Sequence, residues 1–312
     1  MKLRDTVKEY IAYKRGLGMR FNTDARTLLA FCRTMGTTTS LQRIPESKIE
    51  SFLSGTGSPT LARNRKHSTL LGFNRFVVGR GYSTSLPLPP IPPTKTRTFV
   101  PYVLSREELR RLLQAIPRRH ASPLLQPSTL RAVLLLLYGA GVRISEATCL
   151  NLADVDLNAA LITVRNTKFY KTRLVPLGLQ LNQIMKAYAC WRAKEGHDQS
   201  ETAPFFVLRS GARTHHDIIR NAFQRLREFV RIHHPDGQQP RLHDLRHSAA
   251  VHRLVAWYRQ GADVQRLLPQ LAVYLGHVRL SSTQVYLTMT PELLREVGLR
   301  FQRYAVPEVN HE

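Results

Sequence analysis

Leu275-Gly-His-Val-Arg-Leu-Ser-Ser-Thr-Gln-Val-Tyr286 is the stretch on which the reading of this chain turns, taken together with His243-Asp-Leu-Arg-His247 upstream of it. Alone, each is ordinary. Two histidines at i, i+4 can bind a metal or simply cap and pack, and most of the 11 tyrosines belong to cores and surfaces. The spacing is more telling. His243 and Arg246 stand at i, i+3, so on a helix they share one face and can address one anionic group. A second histidine follows at 277, with a tyrosine nine residues beyond it at 286.

Working outward, two more segments carry candidate chemistry. One is Gly-Ala-Gly-Val-Arg-Ile-Ser-Glu at 139–146, which ends the nearly all-apolar run Thr129 to Tyr138. That run reads as a buried helix stopped by Gly139 and Gly141. The other is Asn166-Thr-Lys168, inside the polar turn Asn166 to Lys171 between Leu161–Arg165 and Thr172–Pro176, which read as two hairpin strands. Phe205 to Leu208 reads as a further short strand. Ser105-Arg-Glu-Glu108 is a capping box, with Leu104 and Leu109 placed as a hydrophobic staple, and opens a helix from Arg106 to Ile116. Helical spacing returns at His216–Val230 and Leu242–Tyr258. Nearer the start, Leu3–Leu17, Thr23–Met35, Pro45–Leu53 and Ser58–Val78 each present apolar residues on one side. Between the halves, TSLPLPPIPPTKTRTFVP at 84–101 cannot continue a helix and favours an extended, semi-rigid chain. The expected fold class is mainly α with a small antiparallel β-sheet in the second domain (α+β). The expected domains are a helical one at 1–84, a proline-rich linker at 85–102, and a larger one at 103–312 with a tail helix at 291–304.

Composition sets the partner class. The chain has 312 residues, 43% of them hydrophobic, and 46 Lys+Arg against 22 Asp+Glu, a net charge of +24. It is too apolar for a disordered tail. Its charge calls for a polyanion. The excess is +12 in residues 1–100 and +12 in the rest, so both halves are basic. Cys32, Cys149 and Cys190 form no CxxC pair, which argues against a disulfide scaffold or thiolate zinc site and suits a reducing cytosol. The N-terminus lacks a signal-peptide core. The longest apolar run, Ala132 to Tyr138, falls far short of the roughly 20 residues that cross a bilayer. The expected location is the bacterial cytoplasm, with nucleoid association when DNA is bound.

In this order and at these distances, GVRISE, the hairpin lysine, HxxR, LGH and the following tyrosine resemble the active site of the tyrosine recombinase (phage integrase) family, over about residues 103–290. The resemblance implies a two-domain C-shaped clamp on DNA. It implies Arg143 and Arg246 as catalytic arginines, Lys168 as a mobile lysine, His243 and His277 as catalytic histidines, and Tyr286 as nucleophile. Glu146 matches the acidic residue one turn after the first arginine. No cofactor and no metal are implied. The implied partner is double-stranded DNA with an inverted-repeat core site. The implied assembly is a homo-tetramer on synapsed DNA, monomeric or dimeric off it, with other recombinases or accessory proteins as further candidate partners and no membrane partner.

The chemistry explains the residue types. Attack of a tyrosyl oxygen on a backbone phosphate stores the bond as a 3′-phosphotyrosine and expels a 5′ oxygen. Two permanently charged, forked guanidinium groups suit the developing negative charge. His243 is the candidate base, Lys168 the candidate acid, and His277 a donor to a nonbridging oxygen. Lys171 rivals Lys168, Tyr274 rivals Tyr286 but reads as packing, and His247 reads as a helix buttress. Arg63, Arg65, Lys66, Arg75 and Arg279 are candidate phosphate contacts, and Asn64 and Asn74 candidate base readers. One departure from the family pattern is a long segment before LGH, at 257–269. The expected activity is site-specific cleavage and rejoining of DNA, metal-independent, for integration or excision of a mobile element. Alternatives are a catalytically silent DNA-binding accessory factor of the same fold, a resolvase or invertase acting on chromosomal or plasmid sites, and a histidine-based metal enzyme. The last lacks the glutamate of HExxH.

Overall fold

The computed structural model describes residues 2–36, 38–54, 61–83, 85–90, 101–118, 123–165, 172–233, 237, 239–277, 279–288, 294–296 and 298–299. The chain divides into two units, Met1–Phe99 and Val100–Glu312. The first is helical: α1 Leu3–Gly16, α2 Asn22–Met35, α3 Glu46–Ser54 and α4 Leu61–Gly79. Their apolar stripes converge, with Leu3, Val7, Leu28, Phe31, Ile49, Leu70 and Phe73 fully buried. Tyr10 anchors this core against Phe21, Phe73 and Phe76. The start of the proline-rich stretch belongs to it as well. Leu86 is buried there, its N–H donates to Asn74 Oδ1 at 2.7 Å, and Pro89 O lies 2.8 Å from His67 Nε2. Six residues expected as linker, 85–90, are thus fastened to the first unit; 91–100 lie outside the described residues.

In the second unit, α5 Arg106–Ala115 has the expected capping box: Ser105 Oγ accepts from Glu108 N at 3.1 Å, and Glu108 Oε2 accepts from Ser105 N at 2.7 Å. Leu104 and Leu109 are both buried beside it. The apolar helix α6 runs Pro127–Gly139, opening on a proline whose missing N–H costs nothing there. It packs on α8 Leu179–Lys194 and α10 Asp244–Arg259. Between them come α7 Ile144–Thr148 and an antiparallel sheet of order β1-β2-β3. Its strands are β1 Val155–Asp156, β2 Leu161–Val164 and β3 Arg173–Pro176, with Ile162 opposite Val175. α9 His216–Phe229, α11 Val264–Leu275, α12 Ser281–Gln284 and a 3₁₀ turn Val285–Thr288 complete the unit. A second cluster joins α10 and α11 through Val251, Leu254, Leu268 and Leu271, and includes Tyr286.

One of the sequence expectations changes. Phe205–Leu208 is not a strand: Phe205, Phe206 and Val207 are buried, but only single bridges, Asn151 with Pro204 and Val207 with Arg213, are made there. The run is apolar because it is packed, not because it is paired. The segment 257–269 is the end of α10, a turn, and the first half of α11, with Pro269 inside that helix. The tail helix expected at 291–304 lies almost wholly outside the described residues. Among the described residues no helix is long and apolar enough to cross a membrane.

Candidate active site

Four chain segments meet around Arg246. α10 begins just after His243 and carries Arg246 and His247 in its first turn. Arg246 is 2% exposed, and its Nη1 and Nη2 donate to Gly141 O at 2.5 Å and Leu275 O at 2.6 Å. Arg143, just before α7, reaches the opposite way: its Nη2 donates to Gly276 O at 3.0 Å. Each arginine is therefore held by the main chain of a glycine loop, Arg246 by GAG and LGH and Arg143 by LGH. Two carbonyls occupy only two of a guanidinium's five N–H donors, leaving others for an anion. Burial, and next the nearby Arg143, pull the Arg246 guanidinium down to about 10, still protonated at neutral pH.

The glycines are required by these approaches. Gly276 ends α11 in the left-handed region at φ 70, and the N–H of His277 closes on Ala272 O at 2.9 Å. A Cβ there would sit 2.8 Å from the Arg173 guanidinium carbon. At Gly141, φ 60, a Cβ would meet Leu275 Cδ2 at 2.7 Å.

Glu146 binds the arginines together. It accepts from the Arg143 N–H at 2.9 Å and Arg143 Nη1 at 2.8 Å, and takes both Arg173 nitrogens at 3.0 and 2.8 Å. Burial alone would raise its carboxyl, but the bonds from Arg173 and Arg143 hold it at about 2. Arg173 was missed in the sequence, because an arginine beginning a hairpin strand usually marks solvent. Here it is tied to Glu146, and its Nε also donates to Tyr274 O at 3.3 Å. It thereby anchors β3, the strand that follows the lysine turn. Lys168 and Lys171 themselves lie outside the described residues.

Tyr286 sits on the 3₁₀ turn, 2% exposed, with its hydroxyl 3.1 Å from His247 Nδ1. The ring touching this hydroxyl thus belongs to His247, one turn along α10 from the expected His243. His243 stands edge-on to His247 at 4.8 Å between centroids. His277 lies along the other side, its ring stacked 6.0 Å from that of Tyr286 and its Nδ1 2.7 Å from Thr283 Oγ1. Burial pushes the phenol of Tyr286 up, against the pull of Arg246 and Arg143. It lowers His243, His247 and His277 to about 4 each, with neighbouring cations adding to the effect. All three imidazoles are neutral at neutral pH. Tyr274 donates its hydroxyl to Pro176 O at 3.3 Å and packs between the two clusters.

The proposed DNA contacts divide. Arg63 bonds both Glu50 oxygens at 2.7 and 3.0 Å, and Lys66 donates to Phe52 O at 2.8 Å over the Phe52 ring. Both serve the first unit's own packing, as does Asn74. Arg65, Arg75 and Arg279 are exposed, and Asn64 is half-buried.

The phage integrase family profile matches residues 102–292. A protein of Sinorhizobium fredii named as an integrase/recombinase is 35% identical over 308 residues, 96% of this chain and 97% of its own length. The tyrosine recombinase XerC of Oceanobacillus iheyensis is 30% identical over 95% of this chain and 94% of its own. The chain belongs to the phage integrase family, the tyrosine-type site-specific recombinases. Among solved structures, the Tn1549 transposon integrase in complex with transposon right end DNA is similar in fold, at TM-score 0.68 and 15% identity over 98% of this chain and 100% of that one. A lambda integrase dimer bound to a COC' core site matches at TM-score 0.64 and 17% identity, over 92% and 77%.

Proposed function

We propose that this chain cuts and reseals duplex DNA with Tyr286 as nucleophile. The tyrosyl oxygen attacks a backbone phosphate, the P–O5′ bond breaks, and the strand is held as a 3′-phosphotyrosine until a 5′ hydroxyl reverses the step. Arg143 and Arg246 bind the nonbridging oxygens through the donors their carbonyl anchors leave over, and stabilise the charge that develops there. In this reading Thr283 Oγ1 donates across the 2.7 Å contact to His277 Nδ1, so the proton of His277 lies on Nε2, which donates to the same phosphate. His243 adds a further contact to it. Lys168 protonates the leaving 5′ oxygen, and Glu146 fixes Arg143 without touching DNA. Arg65, Arg75 and Arg279 supply sequence-independent phosphate contacts. The assembly is a homo-tetramer on two synapsed inverted-repeat sites, found at the nucleoid when bound, and the task is integration or excision of a mobile element.

The observation that carries this reading is the seating of the Tyr286 hydroxyl beside Arg246, between His247 and His277. The test uses nicked duplexes tiled across the DNA flanking the gene, incubated in EDTA and resolved in SDS. A covalent adduct is expected with the wild type and none with Tyr286→Phe, which should still retard the same DNA. An adduct formed by Tyr286→Phe would move the nucleophile elsewhere. A wild type that binds but never forms an adduct would mark an accessory factor.

A further inference from the structure

The nucleophile reading leaves one proton unassigned, and His247 accounts for it. We propose that His247 Nδ1 is the base that takes the phenolic proton of Tyr286 as its oxygen attacks phosphorus, and that it returns this proton on rejoining. The inference rests on Tyr286 being the nucleophile.

The geometry supports it in three ways. First, Nδ1 is 3.1 Å from the tyrosyl oxygen, a direct hydrogen-bond distance that needs no rearrangement for transfer. Second, the other ring nitrogen faces a carboxylate. Nε2 lies 4.0 Å from Oδ1 of Asp244, which is 1% exposed. That distance is too long for a hydrogen bond but short enough for the negative charge to favour a proton on Nε2. A proton on Nε2 leaves the Nδ1 lone pair for Tyr286, and the same charge stabilises the imidazolium formed on transfer. Third, Asp244 is itself fixed, accepting from Arg241 N at 2.6 Å and Arg241 Nη2 at 3.2 Å. Asp244, His247 and Tyr286 thus form a carboxylate–imidazole–hydroxyl row, the arrangement by which a weak hydroxyl nucleophile is activated.

The groups facing His247 set its protonation. From α10 and its lead-in these are His243, Asp244, Arg246 and Arg241; from the 3₁₀ turn, Tyr286; and from the loop after α11, His277. Among these described groups Asp244 is the only acid. Burial, then Arg241 and Arg246, bring the imidazole to about 4, so His247 is an unprotonated acceptor throughout the neutral range. In the cleavage step its proton comes from Tyr286. The pair on oxygen forms the new P–O bond, the P–O5′ bond breaks, and the 5′ oxygen takes a different proton, from Lys168.

The experiment compares single-turnover cleavage of two substrates: the normal duplex, and one with sulfur replacing the bridging 5′ oxygen at the cut. Sulfur leaves without protonation, so that substrate is insensitive to the acid and still needs the base. His247→Asn keeps a polar group near the Nδ1 position that can hold Tyr286 but cannot accept its proton. His247→Ala removes both functions. Both variants are expected to bind DNA and to cleave either substrate at least about 100-fold slower. Their deficit should shrink as pH rises beyond the ordinary phenol value of about 10, because burial pushes Tyr286 above it and only an ionised phenol attacks unaided. His247→Asn cleaving at the wild-type rate would reduce the residue to positioning. Rescue of His247→Ala by the sulfur substrate would put His247 on the leaving-group side. A full base deficit in His243→Asn with none in His247→Asn would give the role to His243. Should the variants fail to fold, the wild type decides alone. Its rate on the sulfur substrate should stay level from about pH 6 to 8, because a neutral base is already present. A tenfold rise per pH unit there would mean that free ionisation of tyrosine drives attack, and would overturn the proposal. Tyr286→Phe is run throughout: cleavage by that variant sinks the nucleophile reading, whereas its silence beside an active His247→Asn sinks only this inference.

Discussion

Glu146 shows how one carboxylate ties the site to the stability of the fold. Its side chain is 8% exposed and pairs with two arginines from different elements. Its folded value of about 2 lies below the ordinary 4.5, so its contribution is complete above about pH 4.5 and is lost as pH falls through about 2. A shift of that size corresponds to roughly 3 kcal/mol. Glu146→Gln should therefore melt well below the wild type at pH 6, and the gap should close toward pH 2. An equal gap at both ends would mean that charge plays no part. Residue types were legible in the sequence where chemistry dictates them: Arg143, His243, Arg246, His277 and Tyr286 fall in motifs whose spacing restricts what they can do. His247 and Arg173 were not, because their roles depend on what folds against them. A histidine after HxxR, or an arginine opening a strand, looks the same in sequence whether it faces water or a buried partner.

Among elements, the helices with clean apolar stripes and the hairpin could be read directly, the hairpin because its period-2 strands flank a polar turn. α8 could not. Its buried face includes Asn182 and Arg192 beside Leu181, Met185 and Tyr188, so the hydrophobic period is broken. Arg192 is 1% exposed and donates to the carbonyls of Asp198 and Pro204, a use of arginine that periodicity scores as solvent-facing. β1, two residues long, is below any pattern. In α11, Pro269 is exposed in the helix interior, where proline removes a backbone bond and costs up to about 3 kcal/mol. Pro269→Ala should raise the melting temperature by several degrees with adduct formation unchanged. A fall in melting temperature would show that the proline relieves some other strain.

At the scale of the whole molecule, the described residues form separate cores, one within the first unit and two within the second. Every candidate catalytic residue lies in the second unit, inside the span of the family profile. A fragment of residues 103–312 should therefore melt cooperatively alone and bind DNA more weakly than the full chain, since half of the +24 excess lies before residue 101. Because each phosphate contact releases counterions, the slope of log affinity against log salt should be shallower for the fragment. Equal slopes would mean that the first unit's positive charge is idle.

Besides the Glu146 carboxylate on Arg143, the two arginines are anchored by main-chain oxygens, those of Gly141, Leu275 and Gly276. No side-chain replacement deletes such an acceptor; it can only be moved, and the moves that matter are a methyl group at 141 or 276. For anyone retargeting this enzyme by directed evolution, that separates two kinds of position. The two glycines belong among the invariants of a library. Exposed positions such as Arg65, Arg75 and Arg279 can be randomised while the grip on Arg143 and Arg246 stays intact.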